Sequence, residues 1–160
     1  MPRALFLDRD GTINVDYGYV HRREDFEFVD GIFDVCRLAQ RKGFKIFVVT
    51  NQSGIARKMF TESEYQRLTR WMKGRFHEEG VCIEAVYHCP HLEGANRKPN
   101  PGMFIASQRR YKIDMTNSIS VGDSDRDIEA SKRAGIKNCF KVNNRTRFDA
   151  VIDFLNHLPS

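Results

Sequence analysis

The chain predicts a doubly wound α/β fold, a parallel sheet of about five strands with helices on both faces. Two observations carry that expectation. Short apolar runs rich in branched and aromatic residues alternate with segments of helical spacing. Glycines and capping residues mark the places where those helices must start or stop. Strands that alternate with helices pair in parallel and need cover on both faces.

Each element follows in turn. "ALFL" opens the sheet at Ala4–Leu7, and a helical segment runs from Gly31 to Lys42. "KIFVVT" gives the second strand, followed by a long helix from Thr61 to Glu79. Thr61 with Glu64 three residues later forms a capping box ahead of that helix. "IEAVYH" is the third strand, and Pro101 suits the first turn of a helix over Pro101–Tyr111. "SISVGD" precedes a helix over Asp125–Ala134, for which Asp125 is the expected N-cap. "NCFKV" and a helix over Arg147–His157 complete the series. Gly43, Gly80 and Gly135 each follow a helix, where a left-handed stop is wanted. With no repeat, linker or low-complexity tract, residues 1–160 are expected to form a single domain.

Composition narrows the class. Apolar content of 41% and charged content of 29% describe a globular protein. The first apolar run, Ala4 to Leu7, is too short for a signal peptide or a membrane span. Four cysteines without a C-x-x-C pair argue against a disulfide framework. The expectation is a cytoplasmic, reduced protein with no membrane partner. Its net charge of +5 suits an anionic partner, either a phosphorylated metabolite or a nucleic acid, or else a solvated basic surface.

Function is sought at the carboxyl ends of the strands, where open α/β sheets gather their chemistry. The first strand end carries Asp8 and Asp10, the second Thr50, Asn51 and Ser53, and the fourth Gly122, Asp123, Asp125 and Asp127. Arg97 and Lys98 stand just ahead of the third helix. Each signal alone has a plain structural explanation as a turn, a cap or a surface loop. Their occurrence together, in order, does not. Clustered carboxylates are tolerable around a hard divalent cation such as Mg²⁺. Thr50 and Lys98 complement phosphoryl oxygens, and an ionised Asp is a competent phosphoryl acceptor. The residues point to metal-assisted phosphoryl transfer through an aspartate. There is no Walker loop and no G-x-G-x-x-G.

These motifs resemble those of the haloacid dehalogenase superfamily of phosphohydrolases. "FLDRDGTI" matches its first motif, "VVTN" the second, the Lys of "RKP" the third and "GDSDRD" the fourth. The resemblance implies that Asp8 is the nucleophile and Asp10 the general acid/base. It implies Mg²⁺ held by Asp8, the Asp10 backbone carbonyl and Asp123, with Asp127 supporting the site from behind. Thr50, Asn51 and Lys98 are the implied phosphate-binding residues. "YVHRREDFEFVDG", "VVTNQSGIARKMFTE", "CPH" and "RKPNPGM" narrow the likeness to heptose 1,7-bisphosphate 7-phosphatases and the related histidinol-phosphate phosphatases. That likeness implies no separate cap domain, with only Val15–Asp30 and His88–Asn100 to shape a pocket, a small sugar phosphate as partner, and Arg57 and Arg97 as substrate contacts. A monomer is expected.

One departure stands out. Zinc-binding members carry C-x-H followed by C-x-C before the R-K-P, whereas Gly94-Ala95-Asn96 stands here where the second pair belongs. Cys89 and His91 alone cannot close a four-coordinate site, so structural zinc is not expected. Polynucleotide 3′-phosphatases, which share the motifs without the zinc loop, are the runner-up. Nucleic acid is not the expected partner, because strand binding needs aromatic platforms along a basic groove. Tyr17 and Tyr19 are more simply part of a substrate loop. A catalytically silent binding protein on the same fold is the non-enzyme alternative, opposed by the intact Asp8, Asp10, Lys98 and Asp123.

Overall fold

The structure, a computed structural model, describes residues 1–159. Five strands, β1 (Arg3–Leu7), β2 (Phe44–Asn51), β3 (Ile83–Cys89), β4 (Ile119–Gly122) and β5 (Asn138–Lys141), form one parallel sheet in the order β3-β2-β1-β4-β5. Five helices intervene: α1 (Ile32–Arg41), α2 (Glu62–Glu78), α3 (Gly102–Tyr111), α4 (Asp125–Arg133) and α5 (Asp149–Asn156). The expected elements are all present, with ends displaced by one or two residues.

Side-chain alternation along β1 explains the layers. Leu5 and Leu7 join one core cluster with Ile46, Val48 and the inner faces of α1, α2 and α5. Ala4 and Phe6 face the other way, into a cluster with Phe47, Val49 and residues of α3 and α4. The Phe6 ring lies 5.5 Å from Phe47 and 5.1 Å from Phe104, edge-on to the latter. A strand buried on both faces has no freedom to slip, because a one-residue shift would exchange its two clusters. The end of β1 is thereby fixed in space.

The Thr61–Glu64 capping box forms at α2 as expected. The cap of α4 needs correction. Asp125 is the first helical residue, its carboxylate 93% exposed and paired with Lys141 Nζ at 3.0 Å. Ser124 is the N-cap: it is extended (φ −128°, ψ 159°) and its hydroxyl accepts from the Asp127 N–H, while the Asp127 carboxylate accepts from the Ser124 N–H. The reciprocal pair requires a hydroxyl three residues before an acid, a spacing that Ser124 and Asp127 have.

Candidate active site

The strand order places a topological switch point between β1 and β4, since the chain winds outward through β2 and β3 before returning to the far side of β1. The two central strands therefore end side by side without a connection crossing above them, and a crevice opens there. Asp8 follows β1 and Asp123 follows β4; the Asp8 N–H still donates to the Val121 carbonyl at 3.0 Å. The cleft above them has a volume of about 450 Å³. Asp8, Asp10, Asn51, Lys98, Asp123 and Asp127 line its floor, with Arg57, Arg97 and Arg126 also on its walls.

Two glycines permit this crowding. Gly11 has φ +88°, and a Cβ there would overlap the Asp123 carboxylate. A Cβ at Gly122 would overlap the side chain of Asp127. A glycine beside the acids of each strand end, Gly11 after Asp10 and Gly122 before Asp123, is thus what lets the acids meet.

Lys98 is the electrostatic centre. It is 2% exposed, and its ammonium donates to Asp8 Oδ1 at 3.0 Å, to Asp127 Oδ1 at 2.5 Å and to the Val49 carbonyl at 2.8 Å. All three of its protons are placed. Burial disfavours charging Lys98, but the two carboxylates outweigh it and hold its pKa above the usual lysine value. Burial likewise pushes Asp127 upward, yet the Lys98 ion pair and the Ser124 hydrogen bonds prevail and hold it below the usual carboxylate range. Asp8 moves the other way. Burial pushes its carboxyl well above that range; Asp127, Asp10 and Asp123 add to the rise, and Lys98 opposes it. Asp123 is raised as well, by burial and by the Asp127 charge.

That pattern tests a divalent cation. Oxygens of Asp8, Asp123 and Asp127 lie within 4.8 Å of one another. Asp127 has both oxygens engaged, Oδ1 by Lys98 and Oδ2 by Ser124. Asp8 and Asp123 are the acids left to donate, and both are pushed toward protonation by burial and like charge. An all-oxygen set whose charges need a counter-ion fits Mg²⁺.

The remaining expected residues fall into place unevenly. Asn51 spends its side chain on the Lys98 backbone: Nδ2 donates to the Lys98 carbonyl at 3.2 Å and Oδ1 accepts from the Lys98 N–H at 3.0 Å. Thr50 is buried, its hydroxyl donating to the Asn51 carbonyl at 3.3 Å and accepting from Gln52 Nε2 at 3.0 Å. Arg57 lies beside Ser53 (3.4 Å), and Arg97 Nη1 donates to the His91 carbonyl at 3.2 Å. Cys89 is buried at the end of β3; among the described residues neither it nor His91 belongs to a group of three metal-ligating side chains.

Sequence reasoning missed Gln52, Arg126 and Ser124. Gln52 is 4% exposed and donates to Asp10 Oδ2 at 3.0 Å. Its signal was a polar residue directly after the second strand's Thr-Asn. Arg126 stands inside the fourth motif but was passed over between two acids.

Comparison with known proteins agrees with this geometry. A family model described as polynucleotide kinase 3 phosphatase matches residues 4–148. A D-glycero-alpha-D-manno-heptose-1,7-bisphosphate 7-phosphatase of Campylobacter jejuni is 46% identical over 142 residues, 88% of this chain and 83% of that protein. A D-glycero-beta-D-manno-heptose-1,7-bisphosphate 7-phosphatase of Vibrio cholerae is 46% identical over 143 residues, 83% of this chain and 77% of that protein. The crystal structure of a D,D-heptose 1,7-bisphosphate phosphatase from B. bronchiseptica, complexed with magnesium and phosphate, matches with a TM-score of 0.82 at 29% identity, covering 92% of this chain and 86% of that one. Together with the four motifs converged on one rim, these likenesses show that the chain belongs to the haloacid dehalogenase superfamily, in the group of phosphatases that contains the heptose 1,7-bisphosphate 7-phosphatases.

Proposed function

We propose that the protein is a Mg²⁺-dependent phosphomonoesterase that removes the 7-phosphate of a D-glycero-D-manno-heptose 1,7-bisphosphate through an aspartyl-phosphate intermediate. The observation that carries this assignment is the buried Lys98 ammonium bridging Asp8 and Asp127 beside Asp123, with Asp10 at the same rim. It is supported by relatives 46% identical that are heptose bisphosphate phosphatases.

In this assignment Asp8 and Asp123, with the Asp10 backbone carbonyl, hold the cation, which when bound neutralises the carboxylates and phosphoryl oxygens. Asp8 attacks phosphorus, and the phosphorus–oxygen bond to the sugar breaks as Asp10 gives its proton to the departing oxygen. Asp10, now a carboxylate, takes a proton from water, whose oxygen attacks the aspartyl phosphate and restores Asp8 with release of phosphate. Lys98 holds charge beside the phosphoryl group throughout. Thr50 and the strand-end loop of Asn51 and Ser53 complete the phosphate cradle. Arg57, Arg97 and Arg126 face the second anionic end of the substrate. We place this chemistry in a single domain without a cap, so the loops carrying Asp16–Tyr19 and Arg97 bound the pocket themselves.

One observation favours a second substrate class: the matching family model is that of the polynucleotide 3′-phosphatases. Tyr19, 42% exposed, lines the cleft, where a base could stack on it, and Tyr17, 61% exposed, lines the neighbouring pocket with it. A phosphate-release assay with Mg²⁺ decides. It compares both anomers of heptose 1,7-bisphosphate, histidinol phosphate and a 3′-phosphorylated oligonucleotide. Highest kcat/KM on a heptose bisphosphate is the expected outcome, with turnover abolished in a folded Asp8→Asn variant. Preference for the oligonucleotide transfers the assignment to the second class, and robust activity of Asp8→Asn removes Asp8 as nucleophile.

A further inference from the structure

Arg9 lies between the two acids of the first motif, and its position is unusual. At 1% exposure it is the largest fully buried side chain of the molecule. Nη2 donates to Asp10 Oδ1 at 3.0 Å and to the Val20 carbonyl at 2.7 Å. Nε and Nη1 are buried with no hydrogen-bond partner among the described residues. The guanidinium also lies 5.9 Å from the Phe26 ring centroid. Burying a cation with three of its five N–H donors unmet is unfavourable, and an apolar residue of similar volume in such a place is often neutral or stabilising. Packing therefore does not account for an arginine here.

The surroundings of Asp10 do. Its Oδ1 accepts from Arg9 and from Asn14 Nδ2 (3.1 Å), which fills that oxygen. Its Oδ2 accepts only from Gln52 Nε2, at 3.0 Å, and keeps a lone pair free. Three donors on two oxygens lock the carboxylate plane, and they leave Oδ2 as the oxygen able to exchange a proton with substrate. Arg9 is the one cation among the three. Its shared nitrogen also ties the carboxylate to Val20, which directly follows Gly18 and Tyr19 of the cleft lining.

We propose that Arg9 is a positioning residue. Its buried guanidinium holds Oδ1 of Asp10 so that Oδ2 faces the leaving oxygen, and it links that orientation to the substrate loop through the Val20 carbonyl. The inference rests on Asp10 acting as the acid in the proposed function.

The test reads the leaving group. An alkyl leaving oxygen needs a proton, whereas p-nitrophenolate departs without one. kcat/KM reports the steps through departure of the leaving group and is the quantity to compare. In Arg9→Met, kcat/KM for the heptose bisphosphate should fall roughly 10- to 100-fold, part of the ~10²–10⁴-fold that acid–base help supplies. For p-nitrophenyl phosphate it should fall less than about threefold, because that ester draws little on the acid. Arg9→Lys, which keeps the buried cation, should lie between wild type and Arg9→Met and carries the comparison if the Met variant does not fold. Adding either change to Asp10→Asn should have no further effect. Equal losses on the two substrates, or losses that add to that of Asp10→Asn, overturn the positioning role. Should Asp10→Asn itself lack the leaving-group signature, the acid assignment fails. Should Asp10→Asn show it and the Arg9 variants not, only the inference about Arg9 fails.

Discussion

At the scale of single residues, Lys98 decides whether the site is tolerable to the fold. Asp127 titrates below the ordinary carboxylate range, so its pairing contributes stability above the unfolded pKa of ~3.9 and loses it as pH falls through the lowered folded value. Lys98 titrates above its ordinary range, so its contribution is complete below ~10.4 and is lost as pH rises through the raised value. Across neutral pH both contributions are present. Replacing Lys98 by Met leaves Asp8 and Asp127 buried without their cation, and breaking a buried pair in this way costs about 3–5 kcal/mol. Without the ammonium, both carboxyl groups titrate above their unfolded values, so protonation on lowering the pH restores stability. Urea unfolding in chelator should show Lys98→Met far less stable than wild type at about pH 7.5 and recovering toward it at about pH 5. A deficit that stays constant between those pH values would show that lost packing, not unpaired charge, sets the cost.

At the scale of elements, the N-terminus of α4 joins a cap to the acidic rim. Ser124 satisfies the Asp127 N–H, and its own N–H and hydroxyl hold Asp127 Oδ2, the latter at 2.9 Å. Asp127 in turn presents Oδ1 to Lys98. Ser124→Ala should destabilise by about 0.5–2 kcal/mol, the ordinary cost of losing a serine cap. It should also lower kcat/KM several-fold, because Asp127 then presents a looser partner to Lys98. Denaturation midpoints and steady-state kinetics on one preparation check both, and a stability loss with unchanged kinetics would uncouple the cap from the site. The cap also shows what the sequence conveys. Strands and helices were legible because periodicity and capping spacing are local; the four strand-end signals were legible because the fold class alone brings strand ends together. Gln52 and Arg9 were not, because their roles depend on which side chains tertiary packing brings to Asp10, whereas the Ser124 cap was passed over although its spacing to Asp127 is local. Asp125, the acid nearest in sequence to Asp123, is the cap expected from the sequence, and the reciprocal Ser124–Asp127 bond displaces it. Asn51 was legible as part of the second motif, whereas the use of its side chain as a brace on the Lys98 loop was visible only in space.

At the scale of the whole molecule, the sheet order concentrates repulsion at one point. The central strands β1 and β4 each end in acid, and the double-sided core holds those ends where they are. Relaxation by backbone movement would unpack both clusters at once, so the strain is relieved by neutralising charge. Asp8 and Asp123 are both raised acids, and the folded state is accordingly weakened as pH rises above their unfolded values. A cation bound only by the folded chain reverses that, stabilising by RT ln(1 + [L]/Kd), about 2.7 kcal/mol at a hundredfold excess over Kd. For a chain of this size, that corresponds to a rise of roughly 5–10 °C in Tm. Thermal unfolding should show that rise when Mg²⁺ replaces chelator in wild type and only a small fraction of it in Asp123→Asn. The same variant in chelator should melt no lower than wild type, since burial and the Asp127 charge outweigh the hydrogen bonds of the half-buried carboxylate it loses. An equal Mg²⁺ shift in both proteins would place the ion away from the β1–β4 crevice, and the repulsion there would then need another counter-charge.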